Sequence, residues 1–444
     1  MTRLPTRPFE RNLKLARLGV GAGGRMAAHG VANLFRGKQA RGAADRVFYA
    51  EQAQVLADEL GRLKGSVMKA GQMLSLYGQY FLPEEAVAVL SQLQDNTPAV
   101  HWKVLGPVLE HALGRDRLAE LEVEREALAA ASLGQVHRAR RRRDGLELCL
   151  KIRYPGVAEA IESDVRTLQR LIAVTRLAPR GLRLEPVFDE VREMLHRETD
   201  YETERRFTQD YARRLAGDTR YAVPAIVPEY CSDQVLATTF ERGLHVRDPQ
   251  VQALSQERRN GIALAALELF LTELFDWHMV QTDPHFGNYR VRLRPNGSGP
   301  DRLVLLDFGA TRTFGPGFVA GYAAIVQGAL ARDREAIIAG ATAIGLMQEH
   351  FPDAVERAFA EMCELVVEPF RGGVYDWRGS DLPPRVADKI ARAALSMYFR
   401  VPPREIVFLH RRLAGVFILL ATLGAKLDAS ALLRERLARA KAAA

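Results

Sequence analysis

Cysteine is scarce: three residues in 444, Cys149, Cys231 and Cys363, far apart and odd in number. That excludes a disulfide-stapled scaffold, argues against a zinc site and points to a reducing compartment. Long apolar runs are missing as well. The strongest candidate, GVFILLATLGA at 415–425, falls short of the roughly 20 residues a membrane-spanning helix needs and follows Arg411 and Arg412. Residues 1–10 lack the apolar core of a secretory signal. Internal repeats are absent, as is low complexity outside the Ala-rich last turn.

What is present is ordinary for a folded chain: 48% apolar and 26% charged residues, with length for two or three domains. The net charge of +8 permits binding to anionic lipid or nucleic acid without showing either. The densest basic run, RARRRRDG at 138–145, lies between two strand-like stretches and reads as a solvated hairpin tip.

Along the chain, residues 1–45 form a basic, Gly/Ala-rich extension. It reads either as a tail that docks, for instance on a membrane surface, or as a flexible terminus. Residues 46–115 read as helical with a break at Pro83, and 116–240 as a small β region followed by helices at about 157–178 and 186–214. Residues 241–444 open on a long helical run at 252–279 and a second hairpin. Beyond 316 the pattern is helical to the end. The order predicts an α+β chain with two lobes.

Two hairpins deliver polar groups. VQTDPHFGNYRV at 280–291 enters the second hairpin and LLDFGATR at 305–312 leaves it. In an antiparallel pair these ends coincide, so Asp283, Asn288 and Asp307 should converge. Two carboxylates and an amide are hard oxygen ligands that suit a magnesium ion holding phosphate. Gly287 and Gly309 allow tight backbone there. D-P-H-F-G-N alone is also what a loop with an Asx turn looks like. Asp and Asn five apart, with D-F-G about twenty residues on, form the metal half of a kinase-like site.

The first hairpin, AAASLGQVHRA at 129–139 and LCLKIRYPGV at 148–157, brings an Ala-Ser loop near Lys151. A kinase uses a strand lysine to bind phosphate oxygens and to pair with a helix glutamate. RETDYETE at 197–204 supplies candidates. On one continuous helix, Glu198 and Glu204 point about 120° apart. Glu204 is then placed to face Lys151, with Glu198 free for another partner. The same residues also read as an exposed charged helix with i,i+4 pairs.

GSVMKAGQMLSLYG at 65–78 has helical apolar spacing, with Lys69 and Gln72 on another face. A lysine on such a helix either reaches water or needs a partner.

These residues carry a resemblance. Lys69-Ala70-Gly71-Gln72 is similar to the K-x-G-Q motif of the UbiB (aarF-domain) family of atypical protein-kinase-like proteins. Ala129-Ala130-Ala131-Ser132 resembles its alanine-rich loop, which stands where ordinary kinases have glycines. Glu198-Thr199-Asp200 resembles its E-x-D motif, and DPHFGN with DFG completes the set over about residues 10–425. The resemblance implies a bilobal kinase-like fold with an added N-terminal helical region over the cleft, and ATP with Mg²⁺ or Mn²⁺ as cofactors. It implies Lys151 on phosphate with Glu204 as partner, and Asp283 as the catalytic-loop aspartate. Asn288 and Asp307 become metal ligands, Ala129–Ser132 the nucleotide loop, and Val235–Glu241 the strand that meets adenine. Lys69, Gln72, Glu198 and Asp200 become cleft-covering, regulatory residues, with Lys69 paired to Glu198.

The family is linked to ubiquinone biosynthesis. Membrane lipid or quinone intermediates and quinone-biosynthesis enzymes are therefore the implied partners, with no nucleic acid. The implied location is cytoplasmic, or peripheral on the inner face of the membrane, without a transmembrane helix. Departures from the family pattern are Gln281, Thr282 and Phe286 in QTDPHFGN, and Cys149 in Leu148-Cys149-Leu150-Lys151, where a bulkier side chain would press on adenine. No A-P-E pattern follows D-F-G, which argues against phosphorylation of a docked peptide. Two other readings stay open: a nucleotide-gated lipid-handling module with little phosphotransfer, and a small-molecule kinase.

Overall fold

The computed structural model describes residues 51, 54, 99–130, 133–175, 185–294, 299–348, 351–394 and 402–443. The N-terminal extension, the K-x-G-Q stretch with Lys69 and Gln72, and Ala131 and Ser132 lie outside them. Chain contacts divide the described residues into two compact units. The first runs to Glu202 and takes Val227–Thr239; the second takes Thr203–Ile226 and everything from Phe240. That division crosses the chain more than once, with 203–226 in the second unit and 227–239 in the first.

The first unit begins with α1 (Trp102–Leu113), which buries Leu105, Leu109 and Leu113 at helical spacing. A five-stranded sheet follows: β1 (Leu121–Val123), β2 (Ala129–Ala130), β3 (Gly134–Arg141), β4 (Glu147–Arg153) and β5 (Val235–Thr239). The path runs β1-β3-β4-β5, with β2 also on β3, and every pairing is antiparallel. Along β4 the period of two is strict. Leu148, Leu150 and Ile152 are fully buried, while Glu147, Cys149, Lys151 and Arg153 share the half-exposed face.

The G-Q-V-H stretch of β3 fastens this sheet to the segment before α1. Gln135 Oε1 accepts from the Val100 N–H at 2.8 Å, and Gln135 Nε2 donates to the Val100 carbonyl at 3.2 Å. His137 Nδ1 lies 2.8 Å from the Glu124 carbonyl, which can only accept, so Nδ1 carries the proton and Nε2 accepts from Gln135 at 3.0 Å. The His137 ring meets Trp102 edge-on, centroids 4.9 Å apart.

Two helices complete this part of the chain, α2 (Val157–Thr175) and α3 (Glu185–Thr199). The sequence predicts one helix over 186–214. The structure instead ends α3 at Thr199, leaves Asp200 outside and starts α4 at Tyr201–Leu215. Thr199 Oγ1 bonds back to the Leu195 and His196 carbonyls, competing with the helical ladder. Arg153 of β4 takes the Thr199 carbonyl at 2.8 Å, satisfying a terminal group that a continuing helix would have used. The 120° argument for Glu198 and Glu204 therefore fails, because they stand on different helices.

The second unit is built on α5 (Gln256–Phe275), capped by Ser255 and buried on almost every face. Strands β6 (Met279–Gln281), β7 (Tyr289–Arg292), β8 (Arg302–Leu305) and β9 (Thr311–Thr313) follow. β7 and β8 pair antiparallel as predicted, with Tyr221–Ala222 added parallel to β8, and β6 pairs with β9. Five longer helices come next: α6 (Pro316–Ala331), α7 (Arg334–Ala343), α8 (Asp353–Val366), α9 (Leu382–Ala394) and α10 (Arg404–Leu423). The chain closes on α11 (Ser430–Ala443). The all-helical expectation after 316 misses one small ladder, Tyr375–Asp376 with Lys426–Leu427.

α10 is long and apolar enough to cross a membrane by composition. Here it is a core helix. Ile406, Leu409, Val416 and Leu420 sit in one buried cluster with Phe270 and Leu274 of α5.

Candidate active site

In the second unit, the β7–β8 pairing brings the ends of its two loops together. Tyr289 pairs with Leu305, and the Leu306 N–H donates to the Asn288 carbonyl at 2.9 Å. Asn288 and Asp307 thus stand at the same end of the β7–β8 pair. Asn288 Nδ2 donates to Asp283 Oδ2 at 2.9 Å, which orients the amide. The Gly309 N–H donates to Asp307 Oδ1 at 2.9 Å and fixes that carboxylate at the turn. Arg411 of α10 holds Asp283 Oδ1 at 2.8 Å. Both oxygens of Asp283 are therefore oriented by donors.

Glu204 belongs to this unit. A Cβ on Gly309 would lie 3.1 Å from Glu204 Oε2, so the carboxylate rests against the D-F-G turn. Glu204 is buried (3% exposed), and two turns further along α4 the Tyr211 ring packs on Phe308 at 4.5 Å.

The residues that depart from the family pattern turn out to be cross-links. Gln281 accepts from the Asp283 N–H through Oε1 (3.0 Å) and donates to the Asp307 carbonyl through Nε2 (3.3 Å). Thr282 Oγ1 donates to the Ala310 carbonyl at 2.7 Å. Two side chains thus tie the aspartate loop to the D-F-G turn. Phe286 lies beside His245 and beneath the Arg247 guanidinium, 5.2 Å from its ring centre.

Beneath the loop lies a charged network that the sequence reading missed. Glu273 of α5 is 1% exposed. It accepts from Tyr211 (2.7 Å) and from Arg412 (3.2 Å). Arg412 also bonds the Tyr289 hydroxyl, next to Asn288. Burial pushes the Glu273 carboxyl up, against the pull of Arg412 and Tyr211, and burial raises the Tyr289 phenol to about 12. Burial also works against the charge on Arg412, yet Tyr289 and Glu273 hold it above its ordinary value. The signal was present: the two glutamates inside IALAALELFLTELF, Glu268 and Glu273, demand partners wherever that apolar helix is buried.

α10 reaches the loop at one more point. A Cβ on Gly415 would fall 2.0 Å from Pro284 Cβ, so only glycine lets the helix approach the residue after Asp283.

In the first unit Lys151 pairs with Val136 across β3 and with Leu236 across β5, and Val136 pairs with Ala129. The start of the alanine loop, the exposed Ala129, is thus in the lysine's cross-strand row, and Ala130 is in the next. Lys151 Nζ lies 5.5 Å from the Tyr201 ring centre. Cys149 shares its face two residues back. Glu198 is half-buried in the last turn of α3 and Asp200 is exposed at the break. Val235 is fully buried and pairs with Ile152, while Glu241 forms an ion pair with Arg292 in the second unit.

The donor set fits a magnesium ion of the nucleotide type. Among the described residues no three His, Cys, Asp or Glu side chains cluster as a self-sufficient metal cage. Mg²⁺ usually takes one or two protein oxygens and completes its shell with phosphate and water. Asp307 and the Asn288 amide supply that number.

Known proteins are similar to this chain. The sequence pattern described as the ABC1 atypical kinase-like domain matches residues 92–341. The chain is 34% identical over 378 residues to the atypical kinase COQ8B, mitochondrial, of Rattus norvegicus, covering 84% of this chain and 69% of that one. It is 29% identical over 436 residues to the atypical kinase COQ8, mitochondrial, of Saccharomyces cerevisiae, covering 97% and 85%. Among solved structures, the complex of Rv3197 with erythromycin from Mycobacterium tuberculosis superposes with a TM-score of 0.59 at 26% identity. That match covers 90% of this chain and 96% of the other. The chain carries the kinase-type phosphotransferase framework of these relatives and belongs to the ABC1 atypical kinase-like (UbiB) family.

Proposed function

We propose that this protein binds Mg–ATP and activates its γ-phosphoryl group for hydrolysis or transfer, in support of isoprenoid-quinone biosynthesis at a membrane surface. The observation that carries the proposal is the convergence of Asp283, Asn288 and Asp307 at one end of the β7–β8 pair. Asp307 and Asn288 hold the metal. When bound, the metal neutralises phosphate charge, the dominant requirement of phosphoryl transfer. Asp283, oriented by Asn288 and Arg411, positions the acceptor hydroxyl or water. Lys151 binds phosphate oxygens from the half-exposed face of β4. Membrane-associated quinone intermediates are the proposed context, supported by similarity to the COQ8 kinases.

The test is Asp307→Asn in purified protein. Removing one metal carboxylate is expected to cut Mg-dependent ATP turnover by about 10²-fold or more, the usual scale for a preorganised electrostatic group. Unchanged turnover overturns the site.

A further inference from the structure

α6, α11 and the segment around Arg371 line an open cavity of 690 Å³ that contains none of the residues of the metal-type site. Its apolar wall includes Leu330 and Leu437. Its charged wall is Arg332, Arg371, Arg434 and Lys441. Against four cations stands one carboxylate: Glu364 lies 4.0 Å from Arg332 and 3.5 Å from Arg371. Arg434 and Lys441 form no ion pair among the described residues. Asp428 lies near enough to feel Arg434, but its Oδ1 is occupied in capping the Ser430 N–H at 2.8 Å.

Helix dipoles do not account for the set. Lys441 stands in the last turn of α11, where a cation is favourable, but Arg434 stands near the start of the same helix, where it is not. Arg332 is one of two non-glycine residues with positive φ among those described (φ 57°), at the C-cap of α6, a position that favours glycine. Arg332 lines the cavity from that position. Surplus positive charge around a concavity lowers stability through self-repulsion unless an anion is bound.

We propose that this cavity is a second ligand site that takes a phosphate-bearing molecule. The phosphate sits among Arg332, Arg371, Arg434 and Lys441, and any apolar portion lies along Leu330 and Leu437. Guanidinium clusters recognise phosphate through paired N–H donors, and the volume is that of sites for small organic ligands. A soluble phosphate compound and a lipid headgroup present the same chemistry to these groups.

The experiment titrates the full chain with inorganic phosphate and, separately, with dioctanoyl phosphatidic acid, by calorimetry. Binding is expected to be saturable and to weaken about tenfold or more in Arg434→Gln/Lys441→Gln, the scale of one lost charge-assisted hydrogen bond. Arg142→Gln/Arg143→Gln removes the same charge at the β3–β4 hairpin tip and is expected to leave binding unchanged. Tighter binding of the phosphatidic acid than of phosphate identifies a lipid headgroup as the source, and equal binding identifies a soluble phosphate. Absence of saturable binding, or equal weakening in the two double variants, overturns the site.

Discussion

In the first unit Lys151 is placed by strand register: β4 lies between β3 and β5, its apolar side chains are buried, and the lysine stands on the open face. In the second unit the comparable groups are placed by buried polar chemistry. Asp283 and Asp307 accept from side-chain or backbone donors, Asn288 is held by the bond it donates to Asp283, and below them Glu273, Arg412, Tyr211 and Tyr289 share hydrogen bonds away from water. Register tolerates substitution because many backbone bonds share the load. A buried ion pair does not, because each partner left alone is an uncompensated charge. Mutational sensitivity should therefore be steep in the second unit and shallow in the first.

The largest effect is expected from Arg412→Met. It leaves Glu273 buried without its cation and should cost about 3–5 kcal/mol in denaturant unfolding of the second unit. Replacing both partners, Arg412→Met with Glu273→Leu, should recover most of that loss, since an apolar pair of similar volume needs no compensation. A single-variant loss under about 1 kcal/mol, the value of an exposed pair, would erase the contrast between the units.

Gly415→Ala comes next and separates positioning from stability. The added methyl meets Pro284 Cβ at 2.0 Å, so either α10 or the Asp283 loop must shift. A displacement near 1 Å at a reacting group costs about 10²-fold in rate. ATP turnover is expected to fall by that order while unfolding changes far less. Pro284→Gly removes the atom in conflict, so the double variant should regain turnover. If Gly415→Ala turns over ATP normally, α10 does not set the loop.

The hairpins and the convergence of Asp283, Asn288 and Asp307 were legible because a period of two and a short turn determine which strand ends meet. Lys151 was legible for the same reason. Glu273 and Arg412 were not read as partners, because they stand 139 positions apart on helices that only the folded core brings together. Gln281 and Thr282 looked like departures from a pattern, and their role as cross-links depends on acceptors in the D-F-G turn. The end of α3 was missed because no proline or glycine marks it. Its cause is Arg153, 46 residues away in sequence.

Gln135→Ala probes the first unit where side chains do matter. It removes both bonds to Val100, leaves a half-buried backbone N–H and carbonyl without their partner, and takes the donor from the fully buried His137 Nε2. The expected loss is about 1–3 kcal/mol. Hydrogen exchange reads it directly: the Val100 amide should lose protection while amides in β4 keep theirs. Loss of protection throughout β4 would mean that the sheet depends on this clasp and not on its own register.

The smallest effect is expected at the basic hairpin tip. Arg143 lies 3.3 Å from Glu229 with its side chain 64% exposed, so water and salt screen the pair. Glu229 also keeps Arg141 at 2.6 Å, and that arginine is only 11% exposed. Arg143→Gln therefore leaves no charge stranded and should change stability by less than about 0.5 kcal/mol. Arg141→Gln, which also strips Asp144 of its partner, should cost measurably more. If the two variants are equally neutral, the tip is held by strand pairing alone. If Arg143→Gln is the worse of the two, charge at the tip governs the β3–β4 register, and the proposed difference between the units is wrong on its own ground.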